Sequence, residues 1–172
     1  DAGCFHHVSS VAVAGHYQGT FTESMLEEAE GLDDTYACTK HDAEVLVRTE
    51  YPLPYRIYRP SVVVGHSETG EIDKIDGPYY VFRLIQRLRT SIPDWLPRVG
   101  FNGASMNLVP VDYVAKAIDY LAHAKDLDGR TFHLVAPTSS TVGEVMDEFC
   151  RARRAPRAPR GPTCARSPRW SS

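Results

Sequence analysis

Short apolar runs closed by Gly or Pro alternate along this chain with segments of helical period, and that alternation constrains the fold most. Phe5 to Ser10 reads as a short buried strand running into small polar residues, and Val11-Ala12-Val13-Ala14 continues apolar to Gly15. Residues 16–34 are polar and acidic, a surface excursion with one helical turn around Met25–Ala29. A helix is predicted from Thr35 to Glu50, with Asp33 or Asp34 as cap and Tyr51-Pro52-Leu53-Pro54 as its stop. Its apolar positions Ala37, Ala43, Val45, Leu46 and Val47 suit a helix laid on a sheet. Tyr55 to Arg59 is a strand pattern stopped at Pro60, followed by Ser61-Val62-Val63-Val64-Gly65.

Further on, 66–78 reads as a loop, Tyr79–Arg89 as an amphipathic helix and 90–106 as irregular. Asn107 to Val111 is extended. Asp112 is placed to cap a helix over Tyr113–Lys125 that faces Val114, Ala117, Ile118 and Leu121 inward. Thr131 to Val135 is another strand, and Thr141 with Glu144 forms a capping box before a helix over 142–151. Strand and helix alternating in this way argue an α/β fold with a mainly parallel sheet.

Charge separates the last segment from the rest. Seven of the 19 basic residues and none of the 22 acidic ones lie in 151–172, so the preceding body is acidic. That segment also holds four of the 12 Pro and almost no apolar periodicity, the composition of a disordered tail. It matches GC-rich DNA read out of frame better than an Arg-rich nucleic-acid arm, so a nucleic-acid partner is not expected. No apolar run approaches the ~20 residues that span a bilayer. The four Cys show no C-x-x-C spacing, which points to reduced thiols and a cytoplasmic setting. No His has a partner at metal-ligand spacing, so no metal is expected.

The chemistry-bearing feature is Tyr36-Ala37-Cys38-Thr39-Lys40. On a helix, residues four apart lie one above the other, so phenol and ammonium share one space. A cation beside a phenol favours the phenolate and makes it a usable proton donor and acceptor near neutral pH. Taken alone the pair is a weak sign, because Tyr and Lys four apart are common on solvated helix faces. Ser9 and Ser10 stand where the first strand ends, the place where open α/β sheets hold ligands. Serines there also serve simply to satisfy backbone groups.

In combination these features resemble the extended, atypical short-chain dehydrogenase/reductases, within the group of fatty-acyl-CoA reductases ("male sterility" proteins) and thioester reductase domains. His7-Val8-Ser9-Ser10-Val11-Ala12-Val13-Ala14-Gly15 is similar to that family's strand-end block, in which the catalytic Ser or Thr stands five residues before the Gly. The resemblance therefore implies Ser10, Tyr36 and Lys40 as catalytic residues. It implies Ser9, Tyr36, Lys40, Pro60, Ser61, Val62 and Val63 as contacts for NADP or NAD. Val109-Pro110-Val111-Asp112-Tyr113-Val114-Ala115 and Thr131-Phe132-His133-Leu134 are similar to later blocks, so the likeness covers roughly residues 3–150.

The fold it implies is a Rossmann-like, doubly wound parallel sheet with a small substrate-binding subdomain. Residues 1–65 would belong to the nucleotide-binding domain, and 66–150 would mix substrate-binding and returning sheet elements. The family's Gly-rich turn that cradles the pyrophosphate has no counterpart here, since Gly15 and Gly19 follow the serine strand. The expectation is the C-terminal part of such a domain, inactive alone, with the determinant of NAD against NADP preference missing.

On substrate, Val11-Ala12 after Ser10 disfavours dehydration of sugar nucleotides. Ala14 before Gly15, and Val62 in place of an Asn, disfavour their epimerisation. The apolar Val62-Val63-Val64 and aromatic Tyr79-Tyr80-Val81-Phe82 suit a lipid-like substrate, and suit plain core packing equally. An acyl thioester reductase is the first reading. A steroid or alcohol dehydrogenase, an epimerase-like enzyme, or a non-catalytic NAD(P)-binding protein is the alternative.

Overall fold

A computed structural model describes residues 3–71, 105–141 and 143–145. The helix expected at 79–89, most of that at 142–151 and the 151–172 tail lie outside the described residues. In chain order the elements are β1 (Phe5–Val8), a 3-10 turn (Val11–Ala14), α1 (Thr35–Thr49), β2 (Tyr55–Pro60), β3 (Val62–Val64), β4 (Ser105–Met106), β5 (Leu108–Pro110), α2 (Val111–His123), β6 (Arg130–Leu134) and β7 (Ser140–Thr141).

Three of these strands make a parallel sheet in the order β1-β2-β6. Val8 pairs with Tyr58, and Pro60 pairs with Leu134. The strand signal at Tyr55–Arg59 therefore extends by one residue, with Pro60 closing the strand. As a central strand β2 is buried almost throughout, and its alternation decides which helix each residue meets. Arg59 reaches α1, whereas Arg56 and Tyr58 face α2. Helices thus cover both faces, as a parallel sheet requires. β3 pairs with β5 in a second parallel ladder, and β4 pairs with β7 antiparallel.

On the α2 side, Tyr58, Val109, Val114 and Leu134 form the core, with Ala117, Ile118, Leu121 and Phe132 packed against it. The inward face expected for this helix is the observed one. Burying a side chain of this size contributes roughly 1.5–3 kcal/mol each. Arg56 closes the helix end. It donates to the carbonyls of Leu121, Ala122 and Ala124 and pairs with Asp128 at 2.8 Å. A guanidinium there satisfies carbonyls that the helix itself leaves free.

Several local expectations need correcting. Val11–Ala14 winds into a 3-10 turn rather than extending β1, because the Ser10 side chain accepts from Ala12 N and caps it. Leu46 faces solvent on α1, while Glu44 is buried in its stead. The 16–34 excursion is not simply surface: Leu26 is buried, and Glu30 makes a parallel bridge to Gly15. Gly15 has φ 60, and any Cβ there would run into the Glu30 carbonyl.

Asp112 does not cap α2. Pro110 occupies that position, and the helix starts at Val111. The Asp112 carboxylate instead accepts from the Ser67 amide at 2.9 Å and the Ser67 hydroxyl at 3.0 Å, tethering the loop after β3. The capping box of Thr141 and Glu144 is formed as expected, with both reciprocal hydrogen bonds present. No helix among the described residues is long and apolar enough to cross a membrane.

Chiefly through the Ser67 amide, the Asp112 pKa is lowered from 3.8 to about 2. A depressed carboxylate stabilises its tether above the ordinary value and loses that contribution as pH falls toward about 2. The Ser67 amide resonance should therefore titrate with a midpoint near 2 in an NMR pH series, and Asp112→Asn should abolish that titration.

Candidate active site

At the carboxyl end of the parallel sheet, β1 runs out at Val8 and β2 at Pro60, and α1 begins beside them. Asp34 caps α1 by accepting from Ala37 N, which places Tyr36 in the first turn with its side chain exposed (52%). Lys40 Nζ lies 5.9 Å from the centroid of the Tyr36 ring. It donates to the Val8 carbonyl at 3.0 Å. An ammonium has three N–H donors, so two remain for other partners. The expected pairing of Tyr36 and Lys40 on one helix face is present.

Ser10 follows β1 directly and is 9% exposed. Its Oγ accepts from Ala12 N at 3.2 Å, and a hydroxyl used as acceptor keeps its own proton to donate. Ser9, expected among the cofactor contacts, is 2% exposed and gives its hydroxyl to Glu44 Oε2 at 2.8 Å. That side chain is committed to the helix behind the strand.

Pro60 ends β2, and Ser61 leaves the sheet under control of Asn107. The Ser61 hydroxyl and Val62 N both donate to the Asn107 carbonyl, at 2.5 and 3.3 Å. The Asn107 side chain exchanges two hydrogen bonds with the backbone of Ala136, each 2.9 Å. Val62 and Val63 then pair with β5, with Val63 at the surface.

Behind the site stands a buried ionic cluster that residue patterns did not single out. Glu44 and Arg59 are both fully buried (0%) and lie 2.6 Å apart. Oε1 of Glu44 also accepts from Arg48 at 2.8 Å, and Oε2 accepts from Arg59 Nε at 3.1 Å. Arg59 further donates to the carbonyls of Thr22 and Met25 and to His133 Nε2 at 3.1 Å. Burial alone pushes the Glu44 carboxyl up, but the hydrogen bonds and charge of Arg59, with Ser9 and Arg48, outweigh it and hold the group below its ordinary range. No sequence signal pointed to it, since a Glu four residues after a Lys reads as half of a solvated helix-surface pair.

Burial holds His7 and His133 below the usual histidine range. His6 Nδ1 meets the Tyr58 hydroxyl at 2.9 Å. Among the described residues no group of three or more His, Cys, Asp or Glu is placed to hold a metal.

Residues 1–118 match an NAD-binding family described as male sterility protein, and the chain belongs to that family. It is 34% identical to the terminal R domain of the myxalamid PKS-NRPS biosynthetic pathway, with a TM-score of 0.69 over 87% of this chain and 36% of that one. Curated relatives include the aldehyde reductase lnbA of Aspergillus flavus, 30% identical over 77% of this chain, and the non-canonical nonribosomal peptide synthetase FrzA of Cladobotryum sp., 30% identical over 87%. The chain spans 14% and 15% of those two proteins. A dTDP-glucose 4,6-dehydratase from Streptomyces venezuelae with NAD bound shares the fold, with a TM-score of 0.64 at 22% identity. The fold is thus that of the Rossmann-type extended short-chain dehydrogenase/reductases.

Replacing Glu44 with Ala leaves Arg59 buried without its counter-charge. Breaking one partner out of a buried pair costs about 3–5 kcal/mol. Urea unfolding of Glu44→Ala should show a loss of that size, and the double variant Glu44→Leu, Arg59→Met should recover most of it.

Proposed function

We propose that this chain carries the proton-transfer centre of an NAD(P)H-dependent reductase acting on an acyl thioester or a related lipid carbonyl. What supports the reading is an exposed phenol with an ammonium over its ring, on a helix that Lys40 ties to the Val8 carbonyl, two residues before Ser10, where the parallel strands end. The relatives' names, aldehyde reductase and a terminal R domain, support the same class.

Tyr36 donates the proton that a carbonyl oxygen takes up on reduction. The Ser10 hydroxyl donates to the same oxygen and stabilises its developing charge. The Lys40 ammonium stabilises the phenolate left behind, and its two remaining N–H donors suit the hydroxyls of a ribose. Pro60 to Val63 form the shelf on which a nicotinamide would lie. Pro fixes the backbone there, and the Asn107 carbonyl holds Ser61 and Val62 from behind. A bound nicotinamide supplies the hydride. These residues fit that group: Lys40 and Ser10 offer N–H and O–H donors, and Val62 and Val63 offer apolar surface. Val62, Val63 and Val64 also favour an apolar acyl chain over a sugar.

NADPH and NADH consumption with an acyl-CoA or a carrier-bound thioester, measured on this chain joined to the Gly-rich strand–turn–helix it lacks, tests the reading. Tyr36→Phe should lower kcat by about 100- to 10,000-fold, the range for loss of a general acid, with little change in cofactor binding. Turnover that survives Tyr36→Phe undiminished would overturn it.

A further inference from the structure

Two successive residues at the end of β1 are held by two successive turns of α1. Lys40 donates to the Val8 carbonyl at 3.0 Å, and Glu44, one turn on, accepts from the Ser9 hydroxyl at 2.8 Å. The next residue is Ser10, and its turn closes by Ala12 N donating to Ser10 Oγ and Val13 N donating to Ser10 O. We propose that Glu44 is a positioning residue, which through the Ser9 hydroxyl ties the turn carrying Ser10 to the helix carrying Tyr36 and Lys40. This role rests on the reductase reading above.

The geometry favours this role over simple neutralisation of Arg59. Glu44 divides its two oxygens: Oε1 takes Arg59 Nη2 and Arg48, while Oε2 takes Arg59 Nε and the Ser9 hydroxyl. Arg59 orients the carboxylate from β2, and the carboxylate in turn orients Ser9. The strand end is thereby referenced to both the helix and the central strand before the chain bends at Ser10. A hydrogen bond to a buried carboxylate is among the stronger kinds and directional. An amide at position 44 could not replace it, because its NH2 would face a donor on one side or the other. Glu44 itself is fully enclosed and so cannot reach a substrate.

Ser9→Ala is the deciding variant, because it removes the hydroxyl while leaving the Glu44–Arg59 pair intact. In the full chain the Ala12 and Val13 amides should exchange hydrogen roughly tenfold faster or more, while amides of the β2–β6 ladder keep their wild-type rates. In the NADPH assay kcat should fall roughly tenfold, with KM for thioester and cofactor within about twofold. Unchanged exchange at Ala12 and Val13 would overturn the proposal, as would a general loss of protection across the sheet, which marks Ser9 as merely structural. Faster exchange with kcat unchanged would overturn the catalytic consequence. If the chain joined to the Gly-rich strand–turn–helix turns over no carbonyl substrate, the reductase reading fails, and the local exchange difference in the chain itself still establishes or refutes the tie.

Discussion

The ion pair of Glu44 and Arg59 is the contact on which the other parts near the site depend. Each member would be very costly to bury alone, and the pair is tolerated only because every lone pair and N–H around it finds a partner. Those partners belong to different pieces of chain: Ser9 at the end of β1, Arg48 on α1, the carbonyls of Thr22 and Met25 in the excursion, and His133 on β6. One charged centre therefore joins helix, sheet and loop at a single point. A hydrophobic centre of the same volume could hold these pieces together, yet it could not direct them, because dispersion has no preferred direction while hydrogen bonds do.

The strand that carries Arg59 sorts the two faces of the domain. Successive residues of β2 point to opposite sides, so Arg56 and Tyr58 serve α2 while Arg59 serves α1. The apolar cluster lies on the α2 side and the buried Glu44–Arg59 pair on the α1 side. The site sits at the end of the charged side. The residues proposed to work there are carried on a helix and strand ends rather than on a long loop, which favours precise placement.

Much of this was legible in the sequence. The alternation of apolar runs and helical periods predicted the parallel sheet, and the inward face of α2 followed from Val114, Ala117, Ile118 and Leu121. Tyr36 and Lys40 meet as their spacing requires. What could not be read were pairings between distant residues. Glu44 looks like a surface Glu until Arg59, 15 residues away, is known to point at it. Asp112 has the residue type and position of a helix cap, but Ser67 offered it two donors, and the helix began two residues earlier. Val11–Ala14 has the composition of a strand, and only the Ser10 side chain bending back onto Ala12 makes it a 3-10 turn. Composition and period report local preference, whereas these outcomes were decided by partners across the fold.

Asn107 imitates a peptide group. Its side-chain oxygen accepts from Ala136 N, its side-chain nitrogen donates to Ala136 O, and its own carbonyl fixes Ser61 and Val62. That mimicry requires an amide, with one donor and one acceptor side by side. Spontaneous deamidation to Asp would turn the donating end into a second acceptor facing the Ala136 carbonyl. The chemical ageing of one side chain would then be felt in the segment after β2, the one proposed to support the nicotinamide.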